Sequence, residues 1–201
     1  MEAVDEILAL RPTLVIGSVP YKQETVAKLL EQPLNFLAMN PRTLADVEAD
    51  VSLLASIVGR APDGEKTIRA MRAGFDRIRK KTNAKRPRVR VYCEAWPNPR
   101  ISSPPWVAEL VEIVGGEMVV PPGERVSDTQ VADASPDVIV LAWAATGAKA
   151  DPNKAYEMQA WQNVPAIRNR RVYVISDELL NTPGPPLVRG ALELWKVLHR
   201  L

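Results

Sequence analysis

Two stretches of the chain share one pattern and decide the fold class: residues 128–141, DTQVADASPDVIVL, and residues 4–17, VDEILALRPTLVIG. In each, a short helical pattern leads to a proline that stands two residues before an apolar run. Proline ends a helix, and a short Val-, Ile- and Leu-rich run is typical of a buried strand in a parallel sheet. We interpret the two stretches as a structural repeat, each followed by one more helix and strand.

Strands and helices continue to alternate outside the repeat. Further strands are predicted at residues 35–39, 89–93, 118–120 and 172–175. Further helices are predicted at residues 24–30, 44–58, 63–81, 106–114, 155–161 and 185–201. Thr43 and Asp46 have the spacing of a capping box before the second of these helices, and Gly59 is a C-terminal stop. Short connections between alternating strands and helices predict an α/β fold with mainly parallel sheets.

The order of elements predicts two Rossmann-like lobes joined by a long connector helix. Two helices follow one another between residues 44 and 81, and the second is interpreted as the connector. The predicted domains are residues 1–60, 61–86 and 87–201. In the second lobe a strand, a helix and a strand come before the repeated stretch. In the first lobe no such elements come before residues 4–17. We therefore expect the first lobe to lack an initial strand–helix–strand, and we expect an exposed sheet edge there.

Composition and charge exclude several classes of protein. The 26 basic and 24 acidic residues give a net charge of +2, which provides no electrostatic basis for nucleic-acid binding. The densest basic run, residues 77–90, is interpreted as a solvated helix end and linker. Cys93 is the sole cysteine, so no intramolecular disulfide forms. The first residues lack the basic segment of a signal peptide, so the chain is either cytoplasmic as written or its targeting segment has been removed.

Catalytic and metal-binding motifs are absent from the sequence. The sole histidine, His199, is expected to complement the dipole of the last helix. No His, Cys and Asp cluster has metal-ligand spacing, and there is no Gly-x-Gly-x-x-Gly or Walker loop. We therefore predict no catalytic residue, no metal site and no enzymatic activity.

Several stretches, in their order and spacing, resemble a known family. Besides residues 4–18, they are EAWPNP (94–99), WVAELVEIVGG (106–116), SPDVIV (135–140), WQNVPAIRNRRVY (161–173) and PGPPLV (183–188). Together they resemble the class III, helical-backbone substrate-binding proteins of ABC importers, and most of all the cobalamin-binding type. Thr13 stands where Asp is usual and Pro186 where Arg is usual. Family members also begin with a further strand–helix–strand that carries part of the ligand cleft.

The resemblance implies a binding protein without a cofactor of its own. Such a protein would capture cobalamin or a related corrinoid between two lobes and deliver it to the membrane permease of an ABC importer. It would act in the periplasm or another extracytoplasmic compartment. A homodimer is a further expectation, because a second copy would cover the incomplete first lobe.

Aromatic side chains near strand ends are the candidate ligand contacts. Trp96 and Pro97 lie in the proline-stiffened loop just after a predicted strand, and Trp143 follows another strand end. Ligands bind at such positions in open α/β sheets, and indoles offer a large flat contact area. Trp106 and Tyr21 are weaker candidates, for which core or rim packing is the preferred interpretation. Trp161 and Trp195 lie in helical patterns and are predicted in the core.

The resemblance also implies one acidic residue on each lobe for docking to the permease. Glu24 and Glu178 have the corresponding positions. The alternative functions are a ferric siderophore- or haem-binding protein of the same fold, in which Arg100 would meet an anionic chelate, and an interaction protein without a small ligand. An α/β enzyme or nucleotide-binding domain would need a phosphate loop or a nucleophile–base pair, and neither is present.

Overall fold

The computed structural model describes residues 3–19, 21–82, 87–146 and 149–199. Met1, Lys85, Arg86 and Leu201, which enter the predicted domain ends and the basic run, lie outside these ranges. The α/β class with mainly parallel pairing is confirmed. The chain forms two compact units, Met1–Pro41 and Arg42–Leu201. The predicted lobe boundaries near residues 60 and 86 stay predictions.

The first unit is a small βα arrangement. Its elements are α1 (Ala3–Ala9), β1 (Leu14–Ser18), α2 (Gln23–Leu30) and β2 (Asn35–Met39). β1 pairs with β2 in parallel, from Leu14 opposite Asn35 to Ser18 opposite Met39. Within the described ranges β1 has this single strand partner, so its other edge is open.

The second unit begins with two packed helices, α3 (Leu44–Ile57) and α4 (Ala61–Lys81). The predicted capping box is present: the Thr43 hydroxyl accepts from Asp46 N at 3.0 Å, and the Asp46 carboxylate accepts from Thr43 N at 2.8 Å. Hydrogen bonds donated by Arg42 N and Thr43 N lower the pKa of the Asp46 carboxyl. Gly59 ends the helix with a φ of 70°, a left-handed conformation that favours glycine.

A five-stranded sheet forms the centre of the second unit. Its strands are β3 (Val89–Pro97), β4 (Arg100–Ser102), β5 (Gly116–Met118), β6 (Val138–Leu141) and β7 (Val172–Val174). β5 and β6 flank β3 in parallel, and β7 pairs with β6 in parallel. β4 folds back antiparallel on the carboxyl end of β3. The helices are α5 (Pro105–Ile113), α6 (Asp128–Asp133), α7 (Asn153–Tyr156), α8 (Pro165–Arg168), α9 (Asp177–Leu180) and α10 (Leu187–His199).

The two stretches of the sequence repeat adopt the same turn. Arg11 and Ser135, which occupy equivalent positions, have φ values of 49° and 46°. Arg11 N donates to Leu8 O at 2.9 Å, and Ser135 N donates to Ala132 O at 3.0 Å. Each left-handed residue ends the helix and directs the following proline and strand into the sheet.

Three local predictions differ from the structure. Residues 94–105, predicted as a loop, instead continue β3 to Pro97, turn and return as β4. The predicted strand 118–120 lies earlier, as β5, because it pairs with the start of β3. The predicted helix 155–161 is divided into α7 and a 3-10 turn at Gln159–Trp161.

The sheet is buried on both faces. On one face a hydrophobic cluster surrounds Tyr92, Ile139 and Leu141, with Trp161 and Ile167 packed against them. The alternate strand residues Val91, Cys93 and Val140 are buried on the other face. All four residues of β6 have no solvent-exposed surface. In the part of the chain that the structure describes, no helix combines the length and hydropathy needed to span a bilayer.

Candidate ligand-binding surface

The parallel strands β3, β6 and β7 present their carboxyl ends at one edge of the sheet in the second unit. Trp96 lies near the end of β3, Trp143 follows β6 by two residues, and Asp177 follows β7 by three. This edge is where ligands bind in open α/β sheets. The structure therefore brings the segments that carry Trp96 and Trp143 to the same edge.

Trp96 is an exposed indole on a stiff hairpin. Its side chain is 41% exposed, although large apolar side chains are usually buried. A β-bulge between Glu94 and Trp96 changes the register of the hairpin and re-aims this segment. Trp96 Nε1 donates to Asn98 O at 2.8 Å, within the turn that holds the cis Asn98–Pro99 peptide. Because the polar atom of the ring is satisfied inside the loop, the remaining exposed surface is flat and apolar.

Trp143 is held more deeply than the sequence predicted. The residue is 6% exposed, and its Nε1 donates to Glu94 Oε1 at 2.8 Å. The loop around it is tied to β3, since Ala142 N and Ala144 N donate to Glu94 O and Ala95 O at 2.8 and 3.0 Å. Trp143 and its loop are therefore bonded to the part of β3 that carries Trp96, and little of the Trp143 side chain is accessible to a ligand.

The loop after β6 contains a strained residue. Ala145 has a φ of 60°, and its N–H donates to the Asp177 carboxylate at 3.0 Å. A non-glycine residue in the left-handed region is uncommon, and such residues concentrate at ligand-contact loops. This hydrogen bond, accepted by Asp177, compensates the strain and joins the loops that follow β6 and β7.

A buried polar network lies beneath the hairpin, and sequence reasoning did not identify it. Glu94 is 1% exposed, and its Oε2 accepts from the Tyr92 hydroxyl at 2.8 Å and from Arg100. Arg100 Nε also donates to Asp128 Oδ1 at 2.8 Å, and the guanidinium lies 4.4 Å from the centroid of the Trp161 ring. The one sign of this network in the sequence is an acidic residue, Glu94, directly after an apolar strand, with Arg100 six residues later.

The network fixes the ionisation of its members. Burial, reinforced by the charge of Glu94, raises the pKa of the Tyr92 hydroxyl, which therefore stays neutral and donates. Burial lowers the pKa of the Arg100 guanidinium, but Glu94 and Asp128 outweigh this effect and the pKa lies above its usual value. Arg100 is therefore a permanent cation whose charge two carboxylates already neutralise.

The two weaker ligand candidates have structural roles. Trp106 is 2% exposed and its Nε1 donates to Leu180 O at 2.8 Å, so the indole is part of the core. Tyr21 belongs to the first unit, where its hydroxyl oxygen lies 2.7 and 2.6 Å from the carbonyl oxygens of Gly17 and Met39. The single hydroxyl proton donates to one of these carbonyls at a time, which holds the segment after β1 near the ends of both strands. These contacts support the packing interpretation, and a ligand contact by either side chain stays a prediction.

The predicted docking residues are exposed. Glu24 lies in the first turn of α2 in the first unit, and Glu178 lies in the first turn of α9 in the second unit. An acidic residue near a helix N-terminus complements the helix dipole in any case. Exposure is compatible with docking, and the role stays a prediction.

Reactive and metal-binding side chains do not gather at this surface. Within the described ranges, no three His, Cys, Asp or Glu residues lie together as metal ligands. Cys93 is fully buried in β3, and burial raises the pKa of its thiol to about 12. His199 Nε2 lies 3.0 Å from Val114 O, in contact with the end of α5.

Comparison with known proteins assigns the chain to a family. The sequence profile of the periplasmic binding proteins matches residues 3–179, and the chain belongs to that family. It is 22% identical to an uncharacterised ABC transporter substrate-binding lipoprotein of Bacillus subtilis, over 98% of this chain and 65% of the relative. It is 25% identical to a vitamin B12-binding protein of Vibrio parahaemolyticus, over 95% of this chain and 70% of the relative. The chain thus spans about two thirds of the length of these relatives.

Solved structures confirm the fold. A periplasmic haem-binding protein from Pseudomonas aeruginosa superposes with a TM-score of 0.82 at 18% identity, over 100% of this chain and 76% of that one. At this level of identity the likeness describes the fold alone, and both a B12-binding and a haem-binding protein are similar to this chain.

Proposed function

We propose that the chain acts as the substrate-binding component of an ABC importer and that its ligand is cobalamin or a related corrinoid. Membership of the periplasmic binding protein family supports the class. The exposed face of Trp96 at the carboxyl edge of the sheet is the observation that supports a planar macrocycle. A flat indole with its N–H already bonded stacks on such a ring without leaving a polar atom unpaired.

The state of Arg100 favours a neutral macrocycle over an anionic chelate. Recognition of a ferric siderophore generally requires a cation that is free to meet its anionic groups. Arg100 was the candidate, but its side chain is 11% exposed and is paired with Glu94 and Asp128. Turning it toward a ligand would leave Glu94 buried without its counter-charge, which is costly.

Titration with cyanocobalamin, followed by tryptophan fluorescence and calorimetry, tests the proposal. We expect saturable one-to-one binding by the wild-type chain and a loss of at least about tenfold in affinity for Trp96→Ala. Trp195→Phe is the matched control, since Trp195 stacks on His199 in α10 and is not at this edge. Equal affinity in Trp96→Ala would remove Trp96 from the site.

Haem is the second candidate, since Trp96 would stack equally well on a porphyrin. The same samples titrated with haemin separate the two ligands. Saturable haemin binding that cyanocobalamin does not displace would replace the corrinoid proposal with haem. Absence of binding to either macrocycle, by a folded and monodisperse sample, would favour an interaction protein without a small ligand.

The proposed partner is the membrane permease of an ABC importer, met by Glu24 and Glu178 in an extracytoplasmic compartment. Rim charges mainly set association rate and its salt dependence. We expect Glu24→Lys and Glu178→Lys to slow association with a reconstituted corrinoid importer while ligand affinity stays unchanged. Glu31→Lys, an exposed charge reversal in the first unit, is the control. If Glu24→Lys and Glu178→Lys associate as fast as Glu31→Lys, docking through Glu24 and Glu178 is excluded.

We propose that the chain forms a homodimer in which the second copy covers the exposed apolar side chains of the first unit. Three of its large apolar side chains are exposed: Leu10 at 81%, Ile16 at 44% and Leu30 at 68%. Ile16 lies on β1, whose outer edge is open within the described ranges. Light scattering after size-exclusion chromatography tests this, and a monodisperse monomer at micromolar concentration would contradict it.

A further inference from the structure

Glu94 is the residue at which the segments carrying Trp96 and Trp143 meet. Its Oε1 accepts from Trp143 Nε1 at 2.8 Å, and its Oε2 accepts from Tyr92 and Arg100. The residue itself lies two positions before Trp96 in β3. One buried carboxylate therefore binds Trp143, in the loop after β6, directly and binds the returning strand of the hairpin through Arg100.

Arg100 extends this connection to the returning strand of the hairpin. Arg100 begins β4 and pairs with Pro97, and the next residue pairs with Trp96. Its guanidinium is anchored at three points: on Glu94, on Asp128 at 2.8 Å, and over the Trp161 ring. A short two-stranded hairpin is marginal by itself. The ion pairs and the stacked guanidinium fix it to the body of the second unit.

We infer that Glu94 and Arg100 are positioning residues, which fix the orientation of Trp96 relative to Trp143 for the planar ligand. The ligand part of this inference rests on the function proposed above. Glu94 is 1% exposed and the Arg100 side chain 11% exposed. Both therefore act through the tryptophans, and their effect on affinity is pre-organisation of the surface.

The chemistry of the carboxylate makes the role testable. Three donors, from Tyr92, Trp143 and Arg100, converge on the two oxygens of Glu94. A glutamine has one carbonyl oxygen and one NH2 group, and the NH2 cannot accept from a donor. In Glu94→Gln, either the Trp143 bond or the Arg100 bond is lost, and one of the two segments is released.

Fluorine NMR of the full chain labelled with 5-fluorotryptophan reads the position of each indole without a ligand. The chain has five tryptophans, and Trp96→Phe and Trp143→Phe identify the two signals of interest. We expect these signals to shift or broaden in Glu94→Gln, in Arg100→Met and in the double variant. The signals of Trp106 and Trp195, which lie outside the network, stay in place.

Arg90→Met is the matched control. Arg90 also lies in β3, and its guanidinium bonds Glu117 Oε1 at 3.1 Å and Ala134 O at 2.8 Å, but at the amino end of the strand. We expect this variant to leave the Trp96 and Trp143 signals unchanged. The double variant Glu94→Gln/Arg100→Met removes both buried charges and so leaves neither unpaired. It is used for the test if a single variant fails to fold.

The same variants are then titrated with cyanocobalamin. We expect a loss of at least about tenfold in affinity for Glu94→Gln and for the double variant, and no change for Arg90→Met. Unmoved Trp96 and Trp143 signals would overturn the inference whatever the ligand is, and moved signals with full affinity would also overturn it. Moved signals in the variants, together with no cyanocobalamin binding by the wild-type chain, would uphold the positioning of the indoles and reject the corrinoid.

Discussion

The two copies of the sequence repeat form the same local structure in different surroundings. Both stretches are a short helix, a left-handed residue, a proline and a strand. β6 has a parallel neighbour on each side and four fully buried residues. β1 has one described neighbour, and Ile16 in its middle is 44% exposed. Local sequence thus sets the turn and the strand, whereas the neighbours of the strand set how much its side chains stabilise the fold.

The largest difference between the copies is expected from one substitution made in each strand. Ile139→Ala removes a fully buried side chain of β6, and we expect a loss of about 2–5 kcal/mol in the free energy of unfolding. Ile16→Ala in β1, the same substitution one position later in the repeat, is the comparison, with an expected loss of about 1 kcal/mol or less. Urea unfolding followed by far-UV circular dichroism measures both. Equal losses would mean that an additional partner covers β1 in solution.

A smaller difference is expected at the position before each strand. The Asp137 carboxylate accepts from Arg90 N at 3.0 Å, and Asp137→Ala should cost about 1–2 kcal/mol because that hydrogen bond to a charged group is lost. Thr13, the equivalent residue, is exposed, and Thr13→Ala should change stability by about 0.5 kcal/mol or less. The same urea titrations apply. A substantial loss for Thr13→Ala would reveal a bond that the first unit makes at this position.

The smallest effect should be shared by the two copies. Arg11 and Ser135 both adopt left-handed backbone, which costs a side-chain-bearing residue about 1–2 kcal/mol. Glycine removes that strain but adds about 0.4–1 kcal/mol of unfolded-state entropy. Arg11→Gly and Ser135→Gly should therefore each raise the free energy of unfolding by about 0.5–1 kcal/mol. Thermal unfolding checks the sign, and opposite signs would show that the turns differ in energy despite their common geometry.

The features that sequence predicted well are local. The capping box of Thr43 and Asp46, the stop at Gly59 and the repeat turns depend on residues within a few positions of one another. The α/β class followed from the regular alternation of such elements. The exposure of Trp96 was also anticipated, since its position after a predicted strand and directly before two prolines favoured a place outside the core.

The features that sequence missed depend on distant partners. Prolines at 97 and 99 suggested a loop, but at the end of a hairpin they remove no needed hydrogen bond. The buried role of Glu94 required Arg100 to fold back and Trp143 to arrive from another strand. Packing was the preferred interpretation of Trp106, but its hydrogen-bond partner, Leu180 O, lies 74 positions along the chain and was not predicted.

The internal pairing of Arg100 has a consequence for the environment in which the protein works. A binding surface that attracts its ligand through a free charge loses affinity as ionic strength rises, because mobile ions screen that charge over about 10 Å at 0.1 M salt. Here the cation beneath the surface is paired with Glu94 and Asp128, and the exposed contact is an uncharged indole. The proposed capture of a neutral macrocycle on the Trp96 face should therefore depend little on ionic strength, whereas the proposed encounter of Glu24 and Glu178 with a permease should depend on it.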